Sequence, residues 1–170
     1  PLRKLIREIN MEPVLKSSVQ LDVITVNFLT GEEIVFSNYA DRNALVIKEK
    51  ADFVRAIMSS NKKRLSLIVN KNVFAETIIA STSLPGIFEP VEIYGIPIID
   101  GGMVNPLPIN HAINNCCNII IVIDSDPCDE PLTLEQYHEM NWSRILTRGF
   151  HFPSKTIGQI QIERTKRINN

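Results

Sequence analysis

No two glycines in this 170-residue chain stand four positions apart. They occur at 31, 86, 95, 101, 102, 149 and 158, so the chain has no Gly-x-Ser-x-Gly elbow to raise a serine on a strained strand-to-helix turn. It also has no glycine-rich loop that would offer backbone N–H groups to an oxyanion. Cysteine is scarce, with only Cys116, Cys117 and Cys128. The number is odd, two are adjacent and no Cys-x-x-Cys occurs, which excludes a disulfide framework and a zinc-finger spacing and fits a reducing, cytoplasmic setting. His111, His138 and His151 are far apart, so His-x-x-x-His ligand spacing is missing too. Eighteen basic residues against nineteen acidic ones leave a net charge of −1, with no basic field for nucleic acid. No apolar run approaches the roughly 18 residues of a membrane span.

What remains is 44% hydrophobic, enough for one globular domain over residues 1–170 with its own core. Leu2, Leu5, Ile6 and Ile9 recur at helical spacing beside Arg3, Lys4, Arg7 and Glu8, an amphipathic pattern without the apolar centre of a signal peptide. The chain opens on Pro1 already inside this helix, so a piece of a longer polypeptide is expected. "VQLDVITVNFLTGEEIVFSN" reads as a strand pair turning near Thr30-Gly31, and "EPVEIYGIPIID" as a second hairpin turning near Gly95. "KADFVRAIMSS", "VFAETIIASTS" and "PINHAINN" read as helices. "CNIIIVID" has the continuous apolar character of a strand buried on both faces, and hence parallel. Two further helices close the chain, the last with Ser154 as its N-cap. The pattern predicts an α/β fold, a three-layer α/β/α sandwich whose mostly parallel sheet also carries antiparallel hairpins.

Asp100 ends an apolar run and is followed at once by Gly101 and Gly102. A carboxylate at a rigid strand end is one way to present a catalytic or ligating group, and Asp-Gly is equally ordinary turn chemistry. Asp124 and Asp126 form an Asp-x-Asp after an apolar run, which either holds a hard divalent cation, as in a metal-dependent transferase, or is a polar loop before Pro127. Ser81 and Ser83 flank a Leu-Pro-Gly turn, have no base nearby in sequence, and are expected to bond backbone. Cys116 and Cys117 read as buried, inert thiols. Lys62, Lys63 and Arg64 read as a solvated face, with membrane-surface attraction as the other reading.

The span from about Phe74 to Asp126 resembles the patatin-like phospholipase family. "ASTSLPGIFEPVEIYGIPIIDGGMVNPLPINHA" is similar to that family's second signature block: a helix ending in small residues, an LPG.F.PV turn, a hairpin, Asp-Gly-Gly, then an Asn and a Pro before a helix. Ala80, Ser81, Leu84, Pro85, Gly86, Phe88, Pro90 and Val91 fit, as do Gly95, Asp100, Gly101, Gly102, Asn105, Pro106, Pro108 and Ala112. "PLRKLIREI" and "TGEEIVFSN" extend the likeness upstream.

The resemblance implies lipid acyl-ester hydrolysis by a Ser-Asp dyad without histidine. Asp100 would be the dyad acid/base, and Gly101, Gly102, Asn105 and Pro106 would position it. The glycines would turn the backbone sharply and keep side chains away from the carboxylate. The family's elbow and oxyanion loop lie N-terminal to the matching block. These residues would thus be the C-terminal portion of a catalytic domain incomplete at its N-terminus, inactive alone. A phospholipid, lysophospholipid or simpler ester is the implied substrate, with peripheral membrane contact and an oligomer both compatible and no metal or organic cofactor. The rival from another class is a degenerate, non-catalytic patatin-like module that binds lipid or a partner. Two departures stand out. Asn114 or Asn115 would take a left-handed turn where relatives have glycine, and a helix within residues 38–72, beyond what most relatives carry, is either a lid or padding.

Overall fold

The computed structural model describes residues 2–39, 45–59, 64–68, 70–123 and 133–168. The chain divides into two compact units, Pro1–Val104 and Asn105–Asn170.

The first unit is α/β. It begins with helices α1 (Leu2–Glu8) and α2 (Glu12–Leu15), followed by strands β1 (Asp22–Asn27) and β2 (Glu33–Ser37). Then come β3 (Leu45–Val46), α3 (Lys50–Ser59), β4 (Arg64–Ile68) and α4 (Lys71–Ala80), and finally β5 (Val91–Ile93) and β6 (Ile96–Asp100). The six strands form one sheet in the order β3-β4-β2-β1-β6-β5. Both expected hairpins are present. β1 and β2 pair antiparallel around Gly31, whose φ of 72° needs a glycine. β5 and β6 join through Tyr94 and Gly95 at φ 53° and 83°, both left-handed, which suits the twist of a two-residue hairpin.

The sheet is less parallel than the sequence predicts. Among the described residues β2, β1, β6 and β5 run antiparallel, and parallel pairing is confined to β2–β4 and β4–β3. Two of the strands lie in residues 38–72. The described helix of the segment, α3, packs on the sheet, where Phe53 stacks on Phe36 of β2 with ring centroids 6.2 Å apart. Arg64, expected in a solvated run, starts β4; Lys62 and Lys63 lie outside the described residues.

Strand alternation explains the core. Val23, Phe36, Leu67 and Ile98 share one face and cluster with Ile6 of α1, Phe53 of α3, and Phe74 and Ile79 of α4. Val26, Val35 and Ile99, on the opposite face, are buried as well. Asn70 caps α4, its side chain accepting from the N–H groups of Asn72 and Val73.

The second unit holds α5 (Ile109–Asn114), α6 (Leu134–His138) and α7 (Trp142–Ile168). Thr133 and Gln136 form a reciprocal capping box on α6. Four expectations fail in this unit. Ser154 lies within the continuous α7, so no helix begins at it. Cys116, at φ 58°, takes the left-handed turn assigned to Asn114 or Asn115. Cys116 and Cys117 are exposed, not buried. The run Ile119–Ile123 makes no strand, and Ile119, Ile121 and Ile123 are 83%, 83% and 87% exposed. Apolar character gives a segment the means to be a buried strand, but only a neighbouring ladder makes it one, and no described strand runs beside it. Among the described residues no helix is long and apolar enough to cross a membrane.

Candidate functional site

Asp100 is the last residue of β6, where the apolar alternation of Ile96, Ile98 and Ile99 gives way to two glycines. Its Cα partner on β1 is Thr25, whose buried hydroxyl donates to the Ile34 carbonyl at 3.0 Å. The chain leaves Asp100 as a 3-10 turn over Gly101–Met103, and Asp100 caps that turn: Oδ1 accepts the Gly102 N–H at 2.8 Å. On its other side the backbone N–H of Asp100 donates to the Ser83 carbonyl at 3.2 Å. The carboxylate is therefore held at both its backbone and one oxygen, and no described residue bonds Oδ2.

The two glycines have separate steric reasons. Neither adopts a positive φ, so the sharp turn expected of them is not a left-handed one. A Cβ on Gly101 would come 2.6 Å from the carbonyl carbon of Ile24 and 2.9 Å from its Cγ2, so the turn lies directly on β1. A Cβ on Gly102 would press on Asp100 Oδ1 at 3.2 Å. Glycine at 102 thus leaves room for the carboxylate and donates to it.

Burial pushes the Asp100 carboxyl above the ordinary carboxylate value, and the Gly102 N–H pulls partly in the other direction. A raised carboxyl moves closer to the range in which a side chain takes up and returns a proton during catalysis.

Asn105 and Pro106 belong to the second unit. Asn105 Oδ1 accepts from Gln161 Nε2 of α7 at 3.0 Å, which fixes its side chain within that unit. Gly158 lets α7 approach the same loop, since a Cβ there would meet Leu107 Cδ1 at 3.0 Å.

Ser81 and Ser83 behave as helix-ending hydroxyls. Ser81 Oγ donates to Ile78 O and Ser83 Oγ to Ile79 O, each at 2.9 Å. Asp124, Asp126 and Cys128 lie outside the described residues. Among the described residues no three His, Cys, Asp or Glu side chains gather to hold a metal ion. The Ser83 carbonyl is the site contact that sequence reasoning misses, because a backbone acceptor has no residue signature. Its only trace is the adjacent Leu84-Pro85-Gly86, which marks a turn there.

Comparison with known proteins gives a match to the family model described as Patatin-like phospholipase over residues 2–113. A search of curated proteins returned no match.

Proposed function

The chain belongs to the patatin-like phospholipase family, a family of lipid acyl hydrolases acting on lipid esters, and on that premise we propose that Asp100 is the acid/base of a Ser-Asp dyad. The observation that carries the reading is the placement of this one carboxyl: at a strand end, raised in pKa by burial, with Oδ1 held by Gly102. In this mechanism Asp100 takes the proton of a serine nucleophile as it attacks the ester carbonyl and passes it to the alcohol oxygen as that C–O bond breaks, leaving an acyl-enzyme. Asp100 then takes a proton from the water that attacks the acyl carbonyl and gives it to the serine oxygen as the acid leaves. The nucleophile and oxyanion donors come from outside these 170 residues, since the sequence contains no Gly-x-Ser-x-Gly. Gly101 and Gly102 position the carboxylate, and Asn105 and Pro106 shape the loop that follows.

The same reading makes residues 1–170 the C-terminal portion of a three-layer α/β/α domain whose parallel strands are completed by the nucleophile-bearing segment. Burial on both faces of β1 and β2 supports it. On this reading the protein acts in the cytoplasm, touching membrane peripherally to reach a phospholipid, lysophospholipid or simpler ester, and an oligomer is compatible with it.

The experiment is steady-state hydrolysis of one ester by the full-length protein and by Asp100→Asn, Asp124→Asn and Asp126→Asn, each checked for folding by circular dichroism. General-base assistance is worth about 10²–10⁴-fold, so Asp100→Asn should lose at least that order of rate. The other two variants, and added chelator, should change little. Near-parental turnover in Asp100→Asn with a metal-sensitive loss in Asp124→Asn would overturn the dyad in favour of a metal site. Inactivity of the parent itself toward every ester tried would favour a lipid-binding, non-catalytic module.

A further inference from the structure

Strand β5 pairs with β6 from Ile93↔Ile96 to Val91↔Ile98 and reaches no further. N–H groups on an antiparallel strand alternate sides. Phe28 N donating to Pro97 O puts residues 97 and 99 toward β1, and residues 98 and 100 toward the β5 side. Asp100 therefore directs its N–H where β5 has already ended. Left there, it would be an unpaired donor at the most critical residue of the strand. The Ser83 carbonyl occupies that ladder position.

Ser83 is itself immobilised from three directions. Its N–H donates to Ala80 O at 2.9 Å and its hydroxyl to Ile79 O at 2.9 Å, which ties it to the last turn of α4. Arg3 of α1 reaches across with Nη2, donating to Ser83 Oγ at 3.4 Å and to the Glu89 carbonyl at 2.9 Å. Ser83 is 1% exposed, and Ile79 and Ala80 behind it belong to the core. A serine held this fully, 80 positions from the arginine that reaches it, does more than end a helix.

We infer that Ser83, clamped by Arg3, is a positioning residue for Asp100: it substitutes for the missing strand partner and fixes where the end of β6 holds its carboxylate. The inference rests on the dyad reading of Asp100. It transmits the rigidity of α4 to the site through a single backbone hydrogen bond, and small displacements of a catalytic group reduce rate steeply because the reacting atoms must be aligned. Substrate does not touch Ser83, so its loss should lower kcat and leave KM alone.

The test uses the full-length protein, with active sites counted by a serine-directed phosphonate so that kcat is expressed per competent site. Ser83→Ala removes the hydroxyl bonds to Ile79 and Arg3 and should lower kcat per site about tenfold with KM for a short-chain ester unchanged, the scale of a slightly misplaced group. Arg3→Gln, at the outer end of the clamp, should lower it about threefold, and gives the answer independently if Ser83→Ala accumulates poorly. A purely structural role for Ser83 and Arg3 predicts fewer titratable sites with parental kcat per site, and that result in both variants would overturn the inference. Asp100→Asn in the same assay keeps the two readings separate. If it is inactive while both clamp variants turn over at the parental rate per site, the positioning role fails and the dyad stands. If it is active, the dyad fails and takes the inference with it.

Discussion

Gly101 lies on the backbone of Ile24 so closely that a Cβ built on it would come 2.6 Å from that residue's carbonyl carbon. The neighbour is main chain in the middle of a sheet, so it cannot swing aside. Gly101→Ala should therefore cost about 3 kcal/mol, the upper range for forced overpacking. Gly31→Ala is the control. Nothing lies within 4 Å of its Cβ position, and only the left-handed φ of 72° opposes it, a cost of roughly 1–2 kcal/mol. Denaturant midpoints of the full-length variants measure both, and equal losses would remove the steric reason for Gly101.

The raised carboxyl of Asp100 has a defined sign in stability. Its folded value lies above its unfolded one, so the folded state binds the proton more tightly. Stability is lost as pH rises from the ordinary carboxylate value through the raised one, and the loss is complete above it. Asp100→Asn carries no such charge. Relative to the parent, the variant should gain stability as pH rises through that window and show a flat difference on either side. Denaturation midpoints at a series of pH values check this, and a difference that never changes with pH would contradict the burial of the carboxylate.

Hydrolysis should fall on the acid side, because only the ionised Asp100 accepts a proton. The 170-residue chain on its own should not hydrolyse a short-chain activated ester at all. Turnover above buffer, abolished by a serine-directed phosphonate, would return Ser81 or Ser83 to consideration as nucleophile.

Ile119, Ile121 and Ile123 form an exposed, β-branched run with no proline and no charge inside it, the composition that drives strand-to-strand association. The isolated chain should self-associate through it. Replacing the three by Ser should shift the purified chain toward smaller species in light scattering. No change in size on substitution would exclude this run as the adhesive surface.

The sequence discloses features set by near neighbours. Gly31 and Gly95 announce their hairpins, the apolar "VFAETIIASTS" announces α4 although not its Asn70 cap, and the Ile98-Ile99-Asp100 boundary announces the strand end. Features set by distant partners stay hidden. "RLSLI" is too short and too near a basic run to declare β4, which exists because β2 offers a parallel edge. "IIIVI" has every local mark of a buried strand but no described ladder partner. At the site the Asp-Gly-Gly was legible as a carboxylate with room around it. Why Gly101 must be glycine depends on Ile24, and why Asp100 is held depends on Ser83, and neither lies near it in sequence.

The pairing of Thr25 with Asp100 also has a timetable. The two residues are about 75 positions apart, so closing the loop between them costs chain entropy that no local contact offsets until both ends meet. On a ribosome adding roughly 5–20 residues per second, β1 waits some 4–15 s before its partner strand is even synthesised. Through that interval β1 can pair with β2, its neighbour in sequence, but its other edge stays open. The carboxylate is thus seated only after β1 to β4 have had time to form, and any fault in the first hairpin is inherited by the site.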